Sequence, residues 1–234
     1  MNKKLFLQIL KITSPVFFGY IAIGIPFGLM LVKAGYPWWL APIMCLTMYA
    51  GAGQYIAIGL FTAGASFSAI AIAQLMVNIR HIVYGLSLID RFKDVKKIKP
   101  YLVFALTDET YALMTSTPLP PDTSPTLFYG TIAALDQSYW VLGGLIGAIA
   151  GQLIPFDFAG VDFALTALFA VLLIEQIKSS HDIVPPIIGG IATVITVLLY
   201  RWNLIGSGNI LIIALTIGIA AIILVKRERK PEAK

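Results

Sequence analysis

Hydrophobic residues run through this chain in long blocks, separated by short polar or charged segments and without the strict alternation of a half-buried strand. Eight apolar segments can be marked, at about 12–32, 38–61, 67–89, 101–117, 126–153, 162–177, 185–200 and 209–225. The longer ones match the roughly 20 apolar residues that cross a bilayer as a helix. The pattern predicts an all-α, polytopic integral membrane bundle of seven to eight hydrophobic segments, with residues 1–234 forming one transmembrane domain. Some segments are poor straight spans and are expected to be broken or re-entrant. The first holds Gly24, Pro26 and Gly28 in its interior. Pro26 removes a backbone hydrogen bond, so this segment is either kinked by packing or discontinuous at a site. The second holds Tyr49-Ala50-Gly51-Ala52-Gly53-Gln54. Its small residues suit close helix contact or an unwound stretch that lines a substrate path. The fourth and sixth are short.

Polar side chains inside these blocks sharpen the picture, because hydrocarbon offers them no water. Gln74, Asn78 and His81 fall at i, i+4 and i+7 of the third segment, and Arg80, Tyr84 and Ser87 repeat that spacing on another face. Arg80 is permanently charged and calls for a carboxylate. Asp108 is the first choice and Glu109 the second, both in the next segment. Being adjacent, these two acids point about 100° apart on a helix and cannot share a partner. An aqueous vestibule around both is the alternative. Asp136 and Gln137 lie inside the fifth segment, followed by Gly143, Gly144, Gly147 and Gly151 at close-packing intervals.

Composition agrees with the membrane reading. Charged residues make up 12% of the chain and the mean hydropathy is +0.85, against about 25% charged in soluble domains. The net charge of +5 does not indicate nucleic acid, since Lys and Arg flank apolar runs. Lys3, Lys4 and Lys11 precede a run that is full-length and lacks a small-residue cleavage site, so a mature helix is expected there and not a signal peptide. Residues 90–100 carry Arg91, Lys93, Lys96, Lys97 and Lys99 against Asp90 and Asp94. That excess predicts a cytoplasmic loop. A charged cytoplasmic tail is expected at 226–234. If both termini are also inside, one segment on each side of the loop does not span. Cys45 is the sole cysteine, so no intrachain disulfide exists. No zinc spacing, P-loop or dinucleotide fingerprint is present. No metal, cofactor or catalytic set is therefore expected.

Five motifs in order resemble the AzlC family, the large subunit of branched-chain amino acid exporters (the LIV-E family). They are Pro26-Phe27-Gly28, Ala50-Gly51-Ala52-Gly53-Gln54, Asn78-Ile79-Arg80-His81 with Tyr84, Thr107-Asp108-Glu109-Thr110, and Asp162-Phe163-Ala164 with Ala167-Leu168-Phe169. The resemblance covers about residues 14–178. It implies a plasma-membrane exporter of leucine, isoleucine and valine, with methionine as a further substrate, and a separate small hydrophobic subunit of the AzlD type. On physical grounds a substrate site is expected at Pro26, Ala50, Gly51, Gly53, Gln54, Asn78 and His81. Arg80, Asp108, Glu109 and Asp136 are expected to form a charge pair or to couple an ion, with His81 a further titrating candidate. A channel and an intramembrane enzyme are the competing classes. The single-chain asymmetry argues against the first, since channels commonly build pores from oligomer rings, and no nucleophile or metal set completes the second.

Overall fold

The computed structural model describes residues 3–95, 97–154, 163, 166, 167, 170, 173, 174, 177, 178, 182–206 and 209–228. Every regular element among them is a helix. They are α1 (Lys3–Lys33), α2 (Leu40–Thr47), α3 (Gly51–Thr62), α4 (Phe67–Asn78), α5 (Arg80–Ser87), α6 (Lys99–Phe104), α7 (Asp108–Ser116), α8 (Pro125–Leu153), α9 (Val184–Arg201) and α10 (Ile210–Glu228). The chain divides into two compact units. One comprises Met1–Ile58 with Asn78–Ala164, and the other Gly59–Val77 with Leu165–Lys234. The second unit holds α9 packed on α10.

Three helices, α1, α8 and α9, are individually long and apolar enough to cross a membrane, and α4 with α5 makes a fourth if the pair is one broken span. The all-helical membrane class therefore stands, at a coarser count than the seven to eight segments expected. The second and fourth segments are each divided by a break, the eighth is a shorter apolar helix at Ile210–Val225, and most of the sixth lies outside the described residues. So do residues 229–234 of the tail.

The first unit is built on α1 and α8, the longest of the described helices. Gly24 and Gly28 of α1 meet Gly143, Gly144 and Gly147 of α8 with backbone against backbone. A Cβ added at Gly28 would lie 2.2 Å from the carbonyl oxygen of Gly144, and one at Gly147 would lie 2.0 Å from that of Ile25. The glycine stripe of the fifth segment thus finds its close neighbour within this chain.

Pro26 does not divide its segment, contrary to the discontinuous alternative; α1 continues through it to Lys33. Contact along α8 holds both halves in line. A side chain also takes up a backbone group beside the proline, since the Tyr55 hydroxyl donates to the carbonyl of Ile23 at 2.6 Å. The breaks fall elsewhere. Between α2 and α3 the chain leaves the helix at Tyr49, a non-glycine residue at φ +39°. Left-handed conformation costs an L-residue about 1–2 kcal/mol, so packing must hold this turn in place. Between α6 and α7 the chain unwinds over residues 105–107, and the Thr107 side chain caps α7 by accepting from the Thr110 amide at 3.1 Å.

The third segment is interrupted at Ile79, which corrects the reading of one continuous face carrying Gln74, Asn78 and His81. The physical cause is local. The His81 ring nitrogen Nδ1 lies 3.0 Å from the Asn78 carbonyl. The Ile82 amide instead donates to Ile79, three residues back.

Arg91 folds onto the end of α7, where its guanidinium donates to the carbonyls of Met114 and Thr115. These are among the orphan acceptors of a helix terminus. A cysteine placed at Lys97 in a Cys45→Ser background is expected to resist an impermeant thiol reagent on intact cells and to react after permeabilisation. Ready labelling from outside would reverse the topology.

Candidate functional site

One face of α8 presents Asp136, Gln137 and Trp140, all buried. Each reaches a different broken helix or the residues around its break. Asp136 is fully buried, and its Oδ2 accepts from the Thr110 hydroxyl at 2.8 Å. Gln137 accepts from Tyr101 of α6 at 2.9 Å, and its amide nitrogen lies 3.4 Å from the carbonyl of Leu46 near the end of α2. Trp140 donates to Gln54 of α3 at 2.6 Å and lies against the first residue of that helix, Gly51. The α2–α3 and α6–α7 interruptions are therefore tied to the same three-residue patch. Half-helices beginning at Gly51 and Asp108 carry the positive ends of their dipoles.

A chain of hydroxyls leads away from Asp136. The Thr107 hydroxyl donates to that of Thr110 at 3.1 Å. Tyr20, from α1, lies 2.6 Å from Thr107 and donates to Glu109 Oε2 at 2.9 Å. Two carboxylates on different helices are thus joined through Tyr20, Thr107 and Thr110. Glu109 is exposed and Asp136 is not. The Tyr49 hydroxyl is buried close to those of Tyr20 and Thr110, and among the described residues it, Asp136 Oδ1 and Gln54 Nε2 have no partner in full hydrogen-bonding geometry. Such groups cost free energy when left dry, so they mark where a ligand or water would be accepted.

A second polar cluster is separate. Arg80 Nη1 lies 2.6 Å from Asp108 Oδ2, with the two side chains 38% and 31% exposed. Tyr84 donates to Asp108 Oδ1 at 2.5 Å and stacks on Tyr111 with ring centroids 4.5 Å apart. Asp108 and Glu109 thus face different partners, as their adjacency on a helix demands. Among the described residues no three His, Cys, Asp or Glu side chains are placed to hold a metal ion.

A family model described as AzlC protein matches residues 15–154. The chain belongs to the AzlC family. It is 38% identical over 216 residues to an uncharacterized membrane protein of Helicobacter pylori strain J99, covering 92% of each chain. It is 32% identical to the branched-chain amino acid transport protein AzlC of Bacillus subtilis, over 70% of this chain and 65% of that one. It is 31% identical to the inner membrane protein YgaZ of Escherichia coli, over 81% of each. No solved structure matches at a significant level.

The AzlC match contains all three interrupted segments, both polar clusters and the α1–α8 glycine contact. It stops before the Asp162 motif, most of which lies outside the described residues. The residues expected to form a substrate site are distributed. Ala50 lies in the α2–α3 break, and Gly51, Gly53 and Gln54 open α3, while Pro26 lies on α1. Asn78 and His81 flank the interruption at Ile79, where the His81 ring bonds within its own turn and meets Tyr84 edge-on at 5.8 Å. Tyr20, Tyr49, Thr107, Thr110 and Trp140 were not singled out as site residues. A hydroxyl at mid-segment was the available signal for Tyr20. For Trp140 the signal was its i+4 spacing from Asp136.

Proposed function

We propose that this AzlC-family chain is the large subunit of a bacterial plasma-membrane secondary transporter that exports branched-chain amino acids, with ion or proton coupling. The observation that carries the reading is the convergence of two interrupted helices on buried Asp136. Interrupted helices put free backbone groups and dipole ends at a site in the bilayer, as carriers of small zwitterions require. The helix start at Gly51 suits a carboxylate, the acidic side chains at the start of α7 suit an ammonium group, and the apolar surroundings suit a branched side chain. The name of the Bacillus subtilis relative supports the substrate class.

A small hydrophobic partner of the AzlD type completes the proposal. Its support is now the family alone, since the α8 glycine face is occupied by α1. The test is counterflow in proteoliposomes. Labelled leucine should enter vesicles preloaded with unlabelled leucine when both subunits are present, and the large subunit alone should exchange little. Purely downhill flux would indicate a channel, and full exchange by the single chain would remove the partner.

A further inference from the structure

We propose that Asp136 is the proton-carrying site of this protein and that Glu109 loads it through the hydroxyls of Tyr20, Thr107 and Thr110. The inference rests on the transporter reading and names the path its coupling proton takes. Three observations carry it.

The first is the continuity of the chain. Glu109 to Tyr20 is 2.9 Å, Tyr20 to Thr107 2.6 Å, Thr107 to Thr110 3.1 Å, and Thr110 to Asp136 2.8 Å. Three links fall within the usual O–H···O range of about 2.5–3.0 Å and the Thr107–Thr110 link lies just beyond it, so the path needs only a slight approach of those two hydroxyls. The second is the gradient of exposure. Glu109 is exposed, whereas Thr110 and Asp136 have no accessible surface. One end can exchange with solvent or a vestibule, and the other is sealed. The third is the state of the sealed end. Among the described residues Asp136 Oδ1 is buried with no bonding partner, and the donor to its Oδ2 is a neutral hydroxyl. A carboxylate in that position lacks the pairing a purely structural buried charge needs.

Among the described residues the titratable groups facing Asp136 from the surrounding elements are Tyr20 of α1, Tyr49 of the α2–α3 break, Tyr101 of α6 and Glu109 of α7. None is cationic. Arg80 is engaged by Asp108 in the other cluster. Neutralisation of Asp136 by a proton is therefore the available way to relieve its burial.

The transfer balances. With Glu109 protonated and Asp136 ionised, the Glu109 proton passes to the Tyr20 oxygen and the Tyr20 proton to Thr107. The Thr107 proton then goes to Thr110, and the Thr110 proton to Asp136. One proton has arrived at Asp136, the negative charge has moved to Glu109, and each hydroxyl is neutral again with its donor direction reversed. The Thr107-to-Thr110-to-Asp136 donation is the loading direction and the Tyr20-to-Glu109 donation is the direction left after transfer, so the Tyr20 hydroxyl must rotate its proton toward Thr107 before each loading.

Infrared difference spectroscopy across a pH titration of the reconstituted full chain tests the site without any substrate. A protonated-carboxyl band that titrates in the wild type should be absent in Asp136→Asn. A pH jump followed at that band tests the path. Tyr20→Phe and Thr110→Val, both close to isosteric, should slow its appearance by about tenfold or more, the effect of one hydrogen bond lost from the transition state. Thr110→Ser, which keeps the hydroxyl, should restore the rate. No Asp136-dependent band at any pH, or an unchanged rate in both hydroxyl deletions, overturns the proposal. Leucine counterflow of the wild-type chain co-reconstituted with the proposed small subunit separates the two readings. Band and rate effects without exchange would sink the leucine reading and leave the relay standing. Exchange without them would do the reverse.

Discussion

Gly28→Ala should unfold this protein far more readily than its single added methyl suggests. The added Cβ would lie 2.2 Å from the Gly144 oxygen, 2.4 Å from the Ala148 nitrogen and 2.9 Å from the Gly147 carbonyl carbon. All three are backbone atoms, so no rotamer can move aside. α1 and α8 must separate, and that loosens the contact along both helices. Overpacking costs about 1–3 kcal/mol where side chains can adjust, and the upper end or beyond is expected here. Gly147→Ala should behave alike, because it meets the Ile25 oxygen at 2.0 Å. Gly19→Ala is the control. Nothing lies within 4 Å of its added Cβ, and Ala in place of Gly inside a helix should gain about 0.5–1 kcal/mol. Thermal unfolding in detergent should therefore move down for Gly28→Ala and level or up for Gly19→Ala. Equal midpoints would mean that the two helices do not touch through their backbones. The consequence reaches function, because the crossing sets the depth of Tyr20 on α1 relative to Asp136 on α8.

The Arg80–Asp108 pair should respond asymmetrically to removal of its members. Asp108 receives Tyr84 at 2.5 Å as well as Arg80 at 2.6 Å. After Arg80→Ala it keeps a donor. Among the described residues Arg80 has no comparable second partner, since its Nε is already buried without a bond. After Asp108→Ala a permanent cation would remain within a membrane-embedded segment, at a cost of about 2.5–3.5 kcal/mol on insertion scales. Partial exposure of both side chains permits some screening, which discounts that figure. Expression and thermal stability should therefore fall most in Asp108→Ala, less in Arg80→Ala, and least in the double variant, which leaves no charge behind. Equal loss in the two single variants and the double would mean that the pair is not coupled, and a substrate role for Arg80 would gain. Arg80→Lys separates the roles further. A point charge preserves the pair but loses the bidentate fork needed for a substrate carboxylate.

The membrane class and the helical composition were legible in one dimension, because block length and hydropathy alone decide whether a segment suits hydrocarbon. The break near Ala50 was also visible, since small residues followed by Gln54 are a local signal. Pro26 carried an equally strong local signal with the opposite outcome. Whether a proline divides a helix depends on what supports the two halves, and here that support is α8, more than a hundred residues away in sequence. The interruption at Ile79 had no glycine or proline to announce it. It follows from a His81 side chain competing for a backbone carbonyl.

Residue identity alone marks Gln54, Arg80, Asp108, Glu109 and Asp136 as too polar for lipid and narrows the nearby partners of Arg80 to two acids. How those groups are shared out depends on helix packing. Thr107 caps α7, and that start point turns Asp108 toward Arg80 and Glu109 toward Tyr20. The α1–α8 crossing brings the Tyr20 hydroxyl to Thr107, and α8 carries Asp136 to Thr110. These contacts span 87 and 26 residues of sequence. Hydrophobic periodicity reports the face a residue occupies, and the partner opposite that face is set by which helix packs there.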